Sequence, residues 1–281
     1  MTLPFQALSC PLDALPLQRA DNCWRCPSGH SFDIAAQGYV NLLPVQHKRS
    51  RDPGDSKEMI LARQRFLHAG HYEPIAQAVS RIALNGWEPQ QPMSCLDAGC
   101  GEGYYLRALM EACKARAVNL QAAGLDISKW AIMAAAKRDK RASWLVGTNA
   151  KLPVQSASLD LVLCMFGFPV YPEFTRVLKP GARLLRVDAG PDHLRELREI
   201  IYPSLRADRD DACHSNGRFR TIASESLRYE LTMDDAQAIA DLLLMTPHFY
   251  RASNEGRARA AALEKLTTTV DVVLTESVLE P

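Results

Sequence analysis

Asp97-Ala98-Gly99-Cys100-Gly101-Glu102-Gly103 is the stretch on which the fold turns. It follows a short apolar run, Ser94-Cys95-Leu96, and precedes a segment where Leu106, Leu109, Met110 and Cys113 share one helical face. Strand, glycine loop and helix in that order open an α/β sheet. Glycines in the loop tolerate left-handed backbone and let backbone N–H groups approach a ligand with no Cβ in the way, at the positive end of the helix. A dinucleotide-binding loop, G-x-G-x-x-G, would need its third glycine at position 104, where Tyr104 stands. Here that glycine comes one residue early, and an acidic residue, Asp97, stands two before the first glycine.

Outward from the loop, strands and helices alternate. Strands are expected at Gln121–Asp126, Ser143–Val146, Leu159–Met165 and Arg183–Asp188, with helices near Ser128–Lys137, Tyr171–Leu178 and His193–Leu205. Upstream, Ser56 caps a helix carrying Met59, Ile60, Phe66 and Leu67, stopped by Gly70, and Tyr72 to Leu84 reads as a second helix. Near the end, Ile222–Leu231 suits a strand, Asp234–Met245 a helix, and Thr268–Val278 alternates like a half-exposed antiparallel strand. Residues 206–220 are charged with little periodicity and read as a loop.

This loop resembles motif I of class I S-adenosylmethionine-dependent methyltransferases, in which it passes beside a methionine tail rather than a pyrophosphate. Two further features agree. Asp126 ends the next strand, where a carboxylate can accept both ribose hydroxyls, and Val177-Leu178-Lys179-Pro180-Gly181-Ala182 resembles the turn before strand five of that fold. Where the fold usually has an Asp near the adenine, this chain offers Thr148 or Asn149. The expected architecture is therefore α/β, Rossmann-like, a mostly parallel sheet with a final antiparallel strand.

Composition narrows the class. With 47% hydrophobic and 23% charged residues in 281, the chain is globular rather than disordered. A net charge of +1 carries no global basic field, so any nucleic-acid surface is local. No apolar run approaches the ~18–20 residues of a membrane span, and the first residues lack a basic stretch leading into a long apolar one. A cytoplasmic protein without a membrane partner is expected, with its eight cysteines reduced.

Three of those cysteines fall within residues 1–44. Cys10, Cys23, Cys26 and His30 follow C-x12-C-x2-C-x3-H, thiolate and imidazole donors suited to tetrahedral zinc in a two-knuckle ribbon. A ~40-residue module has too little core to stand without such a staple. The expected division is a zinc-ribbon-like module at 1–44, a basic linker and helices at 45–86, and the methyltransferase domain at 87–281.

What is methylated is partly excluded by residues. The position after strand four reads Cys164-Met165-Phe166-Gly167-Phe168-Pro169-Val170, without the N-P-P-Y that holds an exocyclic amine. Cys164 sits inside an apolar strand and reads as core rather than as the nucleophile of carbon-5 chemistry. Direct displacement on a ring nitrogen or another heteroatom is left, with no catalytic residue named.

Over nearly its whole length the chain also resembles the large-subunit ribosomal RNA guanine-N1 methyltransferases, which include the tylosin-resistance enzymes. The resemblance runs through Ser9-Cys10-Pro11-Leu12, Cys26-Pro27-Ser28-Gly29-His30-Ser31-Phe32-Asp33, and the long string from Gly38 to Asp55. It continues through Ala69-Gly70-His71-Tyr72, motif I and Gly190-Pro191-Asp192-His193-Leu194. It implies a zinc ribbon on a class I domain, S-adenosylmethionine as donor, and a guanine in a 23S rRNA hairpin as acceptor. It also implies cofactor contacts from Tyr72, Gly101, Glu102 and His193 beside Asp97, Gly99, Gly103 and Asp126. Lys48, Arg49, Arg51, Arg63 and Arg65 become candidate phosphate contacts. The family's first knuckle is C-P-x-C, and here Cys10-Pro11-Leu12 is followed by Asp13, so Asp13 or Cys23 completes the site, or zinc is absent. A small-molecule methyltransferase and an RNA-binding assembly factor with a vestigial donor pocket are the alternative readings. A homodimer is one compatible assembly.

Overall fold

The computed structural model describes residues 1–44, 52–204 and 217–281. Its N-terminal part carries short strands β1 (Thr2–Pro4), β2 (Gln18–Ala20), β3 (Cys23–Arg25), β4 (Ser31–Asp33) and β5 (Tyr39–Asn41). Helices α1 (Lys57–His68) and α2 (Glu73–Ala83) lead into β6 (Pro92–Ala98), α3 (Tyr104–Ala115), β7 (Asn119–Asp126), α4 (Lys129–Arg138), β8 (Ser143–Val146) and β9 (Leu159–Met165). There follow α5 (Tyr171–Val177), β10 (Leu178–Ala189), α6 (Arg195–Ile201), β11 (Phe219–Met233), α7 (Ala236–Met245), α8 (His248–Arg251), α9 (Asn254–Ala261) and β12 (Leu266–Leu279).

The main sheet runs β11-β12-β10-β9-β6-β7-β8-β5, with β1 beside the first half of β7. Its strands are parallel except β12, which pairs antiparallel with β10 and β11. Strand order reverses between β6 and β9, which opens a crevice at their carboxyl ends. The alternation of apolar strands with helices of one apolar face produces this layering: α2 and α3 cover one face, α5 the other.

Two features were not legible as elements. Within residues 1–44, β2-β3-β4 form their own small sheet, while β5 pairs with β8 and β1 with β7, so the module and the main sheet share hydrogen bonds. Strands of three residues carry no periodic signal. Of the helix expected over His193–Leu205, the structure forms Arg195–Ile201; Leu194 has φ +54 and turns the chain before the helix starts, and Leu205 lies outside the described residues. Most of the 206–220 segment lies outside them as well, and β11 already begins at Phe219. Among the described residues no helix is long and apolar enough to cross a membrane.

Candidate functional site

The glycine loop emerges from β6 and folds back on β7. Gly99 and Cys100 N–H both donate to Leu125 O (2.8 and 2.9 Å), Gly101 N–H to Asp126 Oδ2 (2.9 Å) and Gly103 N–H to Cys100 O (2.8 Å). These amides are therefore spent within the protein, contrary to the expectation that they face a ligand. What the glycines supply is backbone shape: φ is +91, +54 and +81 at Gly99, Gly101 and Gly103. A Cβ on Gly103 would stand 2.4 Å from Trp144, whereas one on Gly99 would meet nothing closer than Asn149 Nδ2 at 3.9 Å. Gly103 is thus a packing glycine, and Gly99 borders open space.

Around that space lie acceptors without donors. Asp97 is fully buried, and among the described residues no group hydrogen-bonds either of its carboxylate oxygens. Burial, with the Asp126 charge second, pushes its carboxyl up to about 8. Asp126 accepts from Gly101 and, at 2.8 Å, from Ser128 N–H, so each oxygen keeps a lone pair for a hydroxyl; burial raises its pKa and those two amides oppose the rise. Asn149 Oδ1 is buried and unpartnered, while Thr148 Oγ1 accepts from Ala150 N–H, so Asn149 is the better placed of that pair. A buried carboxylate with no partner is costly unless a ligand supplies one. The ammonium, ribose hydroxyls and adenine of S-adenosylmethionine match this set in kind.

Glu102 is buried too, but its Oε2 is held by Arg107 at 2.7 Å, and Arg107 also reaches its backbone oxygen. His68 Nε2 stands 3.8 Å from Oε1, with His68 Nδ1 accepting from Arg138 at 3.1 Å. The side chain thereby anchors the loop against α1 and α3.

Tyr72 and His193 meet across the crevice, Tyr72 Oη 3.2 Å from His193 Nε2. His193 is fixed by β12: its Nδ1 accepts from Asp271 N–H at 3.2 Å, so Nε2 carries the hydrogen and donates to Tyr72. The Gly190–Leu194 turn wraps Asp271, whose carboxylate fills the space a Cβ on Gly190 would need (2.4 Å). Burial lowers the His193 pKa to about 4 and raises that of Tyr72 well above the ordinary phenol range. Both groups stay neutral at physiological pH.

Above this pair lies a residue the sequence reading passed over. Phe166, just after β9, has φ +53, a left-handed conformation that costs a non-glycine residue about 1–3 kcal/mol. Its ring centroid is 6.1 Å from Tyr72, 6.4 Å from Tyr105 and 5.9 Å from His193. Backbone strain leaves no trace in hydropathy, so only the lack of N-P-P-Y marked the position.

The metal-ligand candidates resolve differently from their spacing. Cys10, Asp13, Cys26 and His30 bring their donor atoms within 4.8 Å of one another. His30 Nδ1 is 3.1 Å from Asp13 Oδ2, 3.3 Å from Cys26 Sγ and 3.5 Å from Cys10 Sγ. Zinc at ~2.0–2.3 Å from each donor sets tetrahedral ligand–ligand separations near these. Cys23, expected among the ligands, is not in the group: its Sγ donates to Ala20 O at 3.2 Å. In β3, Trp24 pairs with Phe32 and Cys23 with Asp33, which carries Cys23 off the second knuckle. Hydrogen bonding from Cys10 holds the Asp13 carboxyl well below the usual range, so it is an ionised donor. None of the described cysteines is in a disulfide.

The basic candidates also sort. Arg65 clamps Asp241 with two bonds of 2.8 and 2.6 Å, and Arg63 bonds Asp55 and Met245 O at 3.0 Å. Both have partners within the protein, and Arg65 keeps about half of its side chain exposed. Lys48, Arg49 and Arg51 lie outside the described residues. A groove of about 780 Å³ between α2 and α3 is rimmed by arginines, but Arg81, Arg107 and Arg141 are already paired with Glu225, Glu102 and Asp139.

Residues 8–51 match the family described as RlmA, N-terminal, a zinc ribbon, and residues 96–189 match a methyltransferase domain. A Streptomyces fradiae protein named 23S rRNA (guanine(748)-N(1))-methyltransferase is 32% identical, covering 91% of this chain and 90% of its own. Two further relatives carry the 23S rRNA (guanine-N(1)-)-methyltransferase designation provisionally. One, from Micromonospora griseorubida, is 40% identical over 68% of each chain; the other, from Bacillus subtilis (strain 168), is 32% identical over 96% of each. The central sheet is that of a class I S-adenosylmethionine-dependent methyltransferase, and the chain belongs to the family of 23S rRNA (guanine-N1)-methyltransferases.

Proposed function

We infer that this protein transfers the methyl group of S-adenosylmethionine to N1 of a guanine in 23S rRNA. The observation that carries it is the combination of ribbon and methyltransferase domain in one chain, aligned over 91% of its length with a relative named for that reaction. When bound, the cofactor supplies an electrophilic methyl on a sulfonium. Transfer to N1 would leave S-adenosylhomocysteine as the product and release the N1 proton to water. Asp97 would hold the ammonium, Asp126 the ribose hydroxyls and Asn149 the adenine side, with Gly99 leaving room for them. Gly101, Glu102 and Gly103 would shape the loop, and Tyr72 and His193 close the crevice. His193 is not a ready proton acceptor, since both ring nitrogens are engaged and its pKa lies near 4.

For the metal, we propose zinc held by Cys10, Asp13, Cys26 and His30 through Nδ1. For RNA, Lys48, Arg49 and Arg51 are proposed phosphate contacts, and their triple alanine variant should flatten the salt dependence of binding. A cytoplasmic location follows from a ribosomal RNA substrate. A homodimer is a separate proposal, read by analytical ultracentrifugation.

The test is transfer from labelled S-adenosylmethionine to 23S rRNA of cells lacking this gene, followed by nucleoside mass spectrometry. N1-methylguanine is expected, and guanine 748, named for the Streptomyces fradiae relative, is the first position to map. Label in another nucleoside would replace the acceptor. No label in RNA, with cofactor binding intact, would overturn the reading in favour of a small-molecule substrate or a vestigial pocket.

A further inference from the structure

We propose that Phe166 is the stacking surface on which the target guanine lies while its N1 faces the donor. This rests on the rRNA methyltransferase reading and adds the residue that receives the base.

Position comes first. Ligands of open parallel sheets bind where strand order reverses, here between β6 and β9. Motif I leaves the end of β6 and Phe166 leaves the end of β9. The two loops are close: an ideal Cβ on Gly167 would stand 3.8 Å from Ala98 O and 3.3 Å from Cys164 Sγ.

Conformation comes second. Phe166 is pinned in its left-handed conformation by its N–H bonding Val187 O at 2.8 Å. Its backing is aromatic and buried: Tyr72 is 4%, Tyr105 8% and His193 8% exposed. Phe166 itself is 40% exposed and its neighbour Phe168 88%. The Tyr72 ring lies behind at an interplanar angle of 29°, so a further flat ring on the outer face would extend a stack.

Chemistry comes third. The sites proposed for the cofactor's ammonium, ribose and adenine lie at the end of β6, at the end of β7 and on the turn after β8, whereas Phe166 follows β9, on the other side of β6 in the sheet. The aromatic surface after β9 is left for the acceptor. A purine without an N-P-P-Y clamp on its amine needs such a surface to fix the plane in which N1 meets the methyl group.

The experiment compares Phe166→Leu with Phe166→Tyr in the full-length protein. Leucine keeps apolar bulk and the same backbone demand but removes the ring; tyrosine keeps it. Melting temperature and S-adenosylmethionine affinity by equilibrium dialysis are measured alongside. For Phe166→Leu we expect kcat/KM on 23S rRNA to fall about tenfold or more, as loss of one stacked base implies. Phe166→Tyr should stay near wild type, and cofactor affinity should change less than about twofold in either variant. Saturation-transfer NMR with guanosine monophosphate, S-adenosylhomocysteine present, gives a readout independent of methyl transfer: H8 should be saturated through wild type and Phe166→Tyr, not through Phe166→Leu.

Wild-type activity that survives in Phe166→Leu overturns the proposal and leaves the rRNA reading standing. A loss traced wholly to cofactor affinity also overturns it. No RNA methylation by wild type overturns the rRNA reading, and the H8 contrast then decides the stacking surface: its presence supports the surface, its absence removes it.

Discussion

Asp97 is an acceptor waiting for a cation. In the ligand-free protein burial keeps its carboxyl up to about 8, against 3.8 for the unperturbed group. The folded state therefore binds a proton the unfolded chain releases. This contribution to stability is fully present below pH 3.8 and is lost as pH rises through about 8. A cationic ammonium favours the ionised form, so binding S-adenosylmethionine at pH 7 should release about one proton. Calorimetry in buffers of different ionisation enthalpy checks this; Asp97→Asn should release none and bind about tenfold more weakly. At the metal, Asp13→Ala should weaken zinc at least about tenfold in chelator competition, Asp13→Cys should bind more tightly, and Cys23→Ala should match wild type. Equal zinc loss in Cys23→Ala and Asp13→Ala would refute the ligand set.

Among the elements, α1 and α7 are tied by the Arg65–Asp241 ion pair and by Arg63 donating to Met245 O. Asp241 is 3% exposed and its carboxylate is satisfied by Arg65 and, at 2.9 Å, by Gln237. Arg65→Ala leaves a buried carboxylate short of a partner and should cost about 2 kcal/mol in urea unfolding. Arg65→Ala/Asp241→Leu should recover most of that. The salt dependence of RNA binding should stay unchanged in both, since the Arg65 guanidinium is already neutralised by Asp241. A flattened salt slope would restore the phosphate role. The elements missing from the sequence reading, α8, α9 and the short strands, are those whose few residues carry too little periodicity to register.

For the whole molecule, residues 1–44 contribute β1 and β5 to the main sheet and side chains to its second core. Phe5, Leu8 and Leu42 are 1%, 0% and 2% exposed, packed with Leu145, Val154 and Val162. At roughly 1.5–3 kcal/mol for each buried side chain, these three contribute about 5–9 kcal/mol as an upper bound. That rivals the 5–15 kcal/mol by which a whole domain is stable. Removal of residues 1–44 should abolish cooperative thermal unfolding and expose β8 as an unpaired edge prone to association. A truncated protein with a sharp transition near that of the full chain would show instead that the domain at 87–281 folds alone.

The parallel sheet, its antiparallel closing strand, the motif I loop and the donor class were all legible before any tertiary contact was known. Each of these rests on local pattern: hydrophobic period, glycine spacing and an acidic residue at a strand end, all written within a few neighbouring residues. The family string from Gly38 to Asp55 added the acceptor class. Tertiary contacts were needed to show that Asp13 rather than Cys23 joins the thiol–imidazole group, that Arg63 and Arg65 have acidic partners within the protein, and that Phe166 packs its ring near Tyr72 and His193. Those outcomes depend on partners far apart in the chain, Arg65 with Asp241 and Tyr72 with His193. Spacing records what a residue could reach along its own element, and folding settles which of the possible partners arrives.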